Sequence, residues 1–186
     1  MLKATLGLRA HSGWAVAVAV AGGAVIERRR IELCDCLVPG SKQPYHRAAQ
    51  MPLGEAAQYL ERCAQISAAM AEAAVRRIVA DLSGAGYRAA GCSILLGAGR
   101  PLGELAKTLA SHPLIHTAEG EFYRDALREG ARHCGLALDG IKERDLRPSL
   151  GEAAELGKNL GPPWREDEKL CALAALRAIR SRAAKP

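Results

Sequence analysis

Two apolar runs separated by three residues constrain this chain most. Residues 3–10 and 14–20 read as strands, with His11-Ser12-Gly13 as the turn between them. The second run, Ala15-Val16-Ala17-Val18-Ala19-Val20 after Trp14, is apolar at every position, as expected when both faces of a sheet are covered. Gly22-Gly23 supplies the next turn. Residues 24–33 then form a third strand whose Val25, Ile31 and Leu33 face inward around Arg28-Arg29-Arg30. Three short sequential strands imply an antiparallel meander. Whatever packs on it is small-sided: 49 % of the chain is apolar but only 4 % aromatic, with the single Phe122. A core of Ala, Leu, Val and Ile lets helices approach the sheet closely.

The remainder alternates helix and strand. Residues 37–51, with Pro39-Gly40 and Pro44, read as a loop. Pro52 opens a long helix in which Leu53, Leu60, Ala71, Val75, Ile78 and Leu82 recur at helical spacing until Gly84 and Gly86 stop it. Residues 89–96 form a fourth strand, and strand, long helix, strand is the pattern of a parallel crossover. A short helix is expected near 102–110, and residues 111–116 in extended or turn form. Thr117 then caps a helix with Glu119 and Glu121 in its first turn that ends at Gly135. Residues 136–141 give a fifth strand and 149–158 a short helix. The last helix, 165–182, starts with Glu166-Asp167-Glu168 and ends in arginines, matching its macrodipole at both ends. With 186 residues and neither repeat nor low-complexity linker, residues 1–186 are expected to form a single domain.

A formal charge of +6 and a pI near 9.2 favour an anionic partner such as nucleic acid or a phosphorylated ligand. Basic residues concentrate at Arg28-Arg29-Arg30, at Arg76-Arg77, and at Arg177, Arg180, Arg182 and Lys185. Arg9 and His11 interrupt the early apolar run, which argues against a signal peptide, and no stretch approaches the roughly 20 apolar residues of a membrane span. A cytoplasmic protein without a membrane partner is expected. The six cysteines include no C-x-x-C and read as reduced core residues. Cys34 and Cys36, same-face neighbours if the chain is extended there, would suit a metal or redox role.

In element order, and in the residues Gly7 to Val18 and the closing helix, the chain resembles the ribonuclease H-like superfamily. It looks most like the RuvC resolvase-like branch, and like a bacterial family of that type with degenerate carboxylate positions. The resemblance implies an α/β fold: a mixed five-stranded sheet, an antiparallel meander of three strands followed by parallel strands, flanked by helices. It also implies carboxylates on the first strand, at the end of the fourth and in a pair on the final helix, holding two divalent metals, Mg or Mn. Such a cluster is needed because each cation must be neutralised while it clamps the attacking and leaving oxygens. Here the first-strand position is Arg9, and the fourth strand ends in Leu95-Leu96-Gly97-Ala98-Gly99. The final helix keeps Asp167 and Glu168, but Leu170 and Cys171 follow where a second acid would stand. An arginine repels a metal and pairs with carboxylate or phosphate instead. The expectation is therefore no cofactor, no assigned metal ligand and no two-metal nuclease activity, with a role in binding or assembly on nucleic acid.

Two sets of candidate residues follow. For anion binding, Arg9 and Ser12 leave the first strand, and Gly97, Gly99 and Arg100 form the exit of the fourth, where backbone amides receive phosphate. Arg9 has an alternative fate in an ion pair with Asp167 or Glu119. For an enzyme, a hydrolase or phosphoryl-transfer reaction would use His11, His116, Glu119 and Asp167 as acid–base groups. On one continuous helix, His112, His116 and Glu119 would share a face as zinc requires, whereas Pro113 favours a helix that starts later. Tyr45, His46 and Trp164 read either as base-stacking groups or as loop anchors. A third reading is a homo-oligomer built on the Ala-rich long helix.

Overall fold

The computed structural model describes residues 1–97 and 101–183. Three strands, β1 (Leu2–His11), β2 (Trp14–Ala21) and β3 (Ala24–Glu32), form the meander, followed by α1 (Pro44–Ala48) and α2 (Leu53–Gly84). Then come β4 (Tyr87–Leu96), α3 (Leu105–Leu109), α4 (His112–His133), β5 (Ala137–Lys142), α5 (Glu143–Leu146) and α6 (Glu166–Ala183). The five-stranded sheet has the order β3-β2-β1-β4-β5. The meander pairs are antiparallel, and β1 pairs with β4 and β4 with β5 in parallel. This is the α/β architecture expected of the sequence.

The two-residue turn Ser12-Gly13 closes the β1–β2 hairpin on the pair His11 and Trp14, with Gly13 at φ 81°. Alternation then divides the sheet into two faces. Ala4, Leu6 and Leu8 of β1, with Ala15, Ala17 and Ala19 of β2, pack against Val75 and Ile78 of α2 and Tyr123 and Leu127 of α4. Val16, Val18 and Val20 point the other way, onto Leu170, Cys171 and Ala174 of α6. Gly7 and Arg9 share that second face. Gly7 is obligatory because a Cβ there would sit 1.8 Å from the Cys171 carbonyl oxygen, so α6 rests directly on the β1 backbone. Gly130 serves the α2–α4 crossing in the same way, its would-be Cβ lying 2.7 Å from the Ala71 carbonyl carbon.

Four local expectations are corrected. Helix α4 starts at His112, not at Thr117, because Pro113 stands in the first turn, where its missing N–H costs no hydrogen bond. Thr117 instead donates its hydroxyl to the Pro113 carbonyl at 3.0 Å, and Glu119 and Glu121 lie beyond the first turn. The 37–51 loop contains the short α1, with Pro44 in its first turn. Residues 149–158 hold no α-helix; turns there separate 3-10 turns at Arg147–Ser149 and Lys158–Leu160. Cys34 and Cys36 lie beyond β3, so strand alternation does not place them on one face. Among the described residues, no helix is long and apolar enough to cross a membrane.

Candidate functional site

The parallel strands β1, β4 and β5 end at the same edge of the sheet, where open α/β folds receive ligands. Arg9 points onto the α6 face there and is gripped from two elements. One guanidinium nitrogen pairs with Asp167 in the first turn of α6, and another lies 2.9 Å from Glu143, the residue directly after β5. Arg147 extends the chain of charges, 2.5 Å from Glu143 and 3.0 Å from Glu166. His11 brings Nε2 within 3.1 Å of Asp167 Oδ2, an ion-pair contact without hydrogen-bond alignment, and this buried nitrogen has no well-aligned hydrogen bond among the described residues. Its ring stacks on Trp14 with centroids 4.1 Å apart, and the Arg30 guanidinium lies 4.0 Å from the Trp14 centroid. Burial lowers the His11 pKa and outweighs the opposing pull of Asp167.

The residues at this edge do not fit a pair of divalent cations. The carboxylates Asp167 and Glu143 converge, but on a guanidinium already attached to β1. At the end of β4, Leu95 and Leu96 lead into Gly97, whose missing side chain makes room for a second arginine: a Cβ would lie 2.6 Å from Arg124 Nη2. Arg124 donates to the Leu95 carbonyl at 3.2 Å and pairs with Glu121 at 2.7 Å. Fixed cations thus stand at the first-strand position and beside the fourth-strand exit, raising the cost of binding a metal at either.

Two clefts flank the ion-pair network. One of about 300 Å³ is lined by Leu96, Gly97, Lys142, Glu143, Arg144 and Arg147. Lys142, Arg144 and Arg147 are exposed. The other, about 280 Å³, lies on the α6 face between Trp14, Arg28, Arg30, Arg165 and Asp167. The arginine triplet of β3 does not act as one basic face. Arg28 donates to the carbonyls of Leu160, Gly161 and Pro162, whereas Arg29 pairs with Glu27 and with Asp81 of α2. Glu168 accepts the Arg165 backbone N–H at 2.8 Å and so caps α6.

The four acid–base candidates do not form one site. His11 and Asp167 meet, but His116 and Glu119 lie on α4, across the sheet from α6. Arg9 accordingly pairs with Asp167 and not with Glu119. Glu119 is 6 % exposed. Its Oε1 accepts the backbone N–H groups of Tyr45 at 2.9 Å and His46 at 3.1 Å and lies 3.2 Å from His46 Nδ1. Burial raises its pKa against the lowering effect of those hydrogen bonds, and its Oε2 is buried without a hydrogen-bond partner among the described residues. Ser12 sits in the hairpin turn beside His11, and Gly99 and Arg100 lie outside the described residues. Tyr45 packs edge-on against Phe122, and Trp164 donates Nε1 to the Ala153 carbonyl at 2.9 Å, so both anchor loops.

Sequence reasoning did not single out Glu143, Arg147 or Arg124, and it read His46 only as a base-stacking group or loop anchor. The first three are ordinary charged residues until the fold brings the strand ends together. His46 carried one signal, a Pro-Tyr-His segment in which Pro44 is suited to begin a helical turn.

No protein-family model matches the chain, and no curated protein matches it by sequence. Solved structures do. Thermus thermophilus RuvC in complex with a Holliday junction substrate is 13 % identical with a TM-score of 0.53, the match covering 98 % of this chain and 96 % of that one. A second Thermus thermophilus RuvC structure is 12 % identical with a TM-score of 0.52, covering 97 % and 96 %. The chain is thus similar to RuvC over nearly its whole length and has the same ribonuclease H-like fold.

Proposed function

We propose that this protein is a RuvC-like domain that binds nucleic acid through its phosphates and does not cut it by a two-metal mechanism. One observation carries the reading: the Arg9 guanidinium is paired with both Asp167 and Glu143, so a fixed organic cation neutralises the acids that a metal would need. The cleft at the ends of β4 and β5 supports it, lined by Lys142, Arg144 and Arg147 beside Gly97, as does the net charge of +6. Guanidinium and ammonium groups on an open cleft suit a phosphodiester backbone, which gives affinity without base specificity. The similar RuvC structure holds a Holliday junction, which makes branched DNA the first ligand to test.

The test is fluorescence anisotropy with labelled single-stranded, duplex and four-way-junction DNA and RNA over a series of salt concentrations. Binding is expected to weaken linearly in log K against log salt, with a slope near −0.9 per phosphate contacted on duplex DNA. Absence of binding at low salt to every one of these probes would refute the reading.

A second reading, a hydrolase or phosphoryl-transfer enzyme, draws support from the approach of His11 Nε2 to Asp167 at 3.1 Å and from the Trp14 cleft. Burial lowers the His11 pKa and so favours the neutral form that a general base requires. This reading needs turnover of a phosphate ester that His11→Gln abolishes while the fold persists.

A further inference from the structure

Three of the five histidines of this chain meet at one place away from the Arg9 network. His112 and His116 stand one turn apart on α4, and His46 reaches them from α1. Ring centroids are 4.4 Å apart for His112 and His116, 4.9 Å for His46 and His116, and 5.6 Å for His46 and His112. One nitrogen from each ring lies within 4.8 Å of the other two. The geometry points to a zinc-class divalent cation site formed by His46, His112 and His116.

The chemistry of the donors supports this assignment. Imidazole suits zinc and its transition-metal neighbours, and three histidines with an open fourth position are an established zinc donor set. The approach of His46 Nδ1 to Glu119 at 3.2 Å leaves Nε2 as the ligating atom. A carboxylate behind a ligating histidine fixes its ring and makes it more basic. Glu119 has no need to ligate: it is buried behind His46, and its Oε2 has no hydrogen-bond partner among the described residues, so a cation on the far side of the imidazole would favour its carboxylate form. At zinc–nitrogen distances of about 2.0–2.1 Å, tetrahedral ligands stand about 3.4 Å apart. His112 and His116 are exposed, so side-chain rotation can close that gap without moving the backbone of α4. A bound cation would tie the segment between β3 and α2 to α4 and leave one coordination position open to solvent.

Zinc binding by the whole, tag-free chain, stripped with chelator and dialysed, tests this by calorimetry and elemental analysis. Co²⁺ serves as the spectroscopic probe. One equivalent per chain is expected, with a visible cobalt spectrum free of thiolate charge transfer. His112→Ala and His116→Ala, both at exposed positions, should each lose at least 30-fold in affinity, while His133→Gln at the far end of α4 retains it. Glu119→Gln should keep the stoichiometry and weaken binding by about 10- to 100-fold. The inference is overturned by substoichiometric zinc, by unchanged affinity in both alanine variants, or by a thiolate–cobalt band showing that Cys34 and Cys36 hold the metal.

Discussion

At the end of β1, His11 faces Asp167 with a guanidinium already lodged among the acids; across the sheet, His46 faces Glu119 with no arginine or lysine paired to it among the described residues. Both regions pair a histidine with a carboxylate brought from far along the chain. They differ in where the positive charge comes from. In the first, β1 supplies it covalently, and Glu143, Arg147 and Glu166 extend it into an alternating series that leaves little field for a free ion. In the second, a buried acid is met among the described residues by one imidazole and two backbone amides, and the outer histidines are open to solvent. The same residue types thus give a closed network or a cation-accepting cluster, depending on whether an arginine is built in.

The largest effect should come from removing that built-in cation. Arg9→Ala leaves Asp167 with only His11 beside it and Glu143 with only Arg147 among the described residues. Breaking a fully buried pair costs about 3–5 kcal/mol; with side-chain exposures of 17 % for Arg9 and 26 % for each acid, a loss of about 2 kcal/mol is expected in urea denaturation. Mn²⁺ should restore part of the loss in Arg9→Asp, where a third acid replaces the arginine, and leave the wild type unchanged. A fully stable Arg9→Ala would mean that the network does not satisfy these acids.

Next in size is the effect of the cleft cations on binding. Lys142→Ala combined with Arg144→Ala should weaken DNA binding about tenfold and lower the salt slope by about 2. Stability should change little, because both side chains are exposed. If His112→Ala weakens DNA binding equally, the division of roles between the two regions fails.

A smaller effect concerns pH. The folded-state pKa of His11 lies below its ordinary 6.5, so the unfolded chain binds the proton more readily. Its contribution to stability is full above pH 6.5 and is lost as pH falls from there through the lowered folded pKa. The urea midpoint should therefore drop on acidification below pH 6.5, and His11→Gln should flatten that part of the curve. The smallest effect is at the Trp14 face: Arg30→Ala should cost about 0.5 kcal/mol, the contribution of an exposed cation–π contact.

The order of the elements was legible because Ala/Val alternation and helical spacing report burial directly, and Gly7 and Gly13 mark a close approach and a turn. Pro113 was misleading because proline both starts and interrupts helices, and only its place in the first turn decides which. Arg9 could be read as a misplaced cation within a known hairpin pattern. Its two partners stand 134 and 158 residues away, and nothing local to Glu143 reveals that β5 ends beside β1. His116 and Glu119 were read as chemistry-bearing but attached to the wrong cluster, since chain spacing cannot tell one sheet face from the other when a loop residue such as His46 completes the set.

The measurement that tests the central claim most directly is a cleavage and binding assay of the purified chain. It uses labelled four-way-junction and duplex DNA, with and without Mg²⁺ or Mn²⁺, and with Arg9→Ala and Asp167→Ala alongside. Salt-sensitive binding with intact substrate at every metal concentration is the predicted result. Metal-dependent cutting by the wild type, abolished in Asp167→Ala, would contradict the account and make Asp167 a working metal ligand despite Arg9.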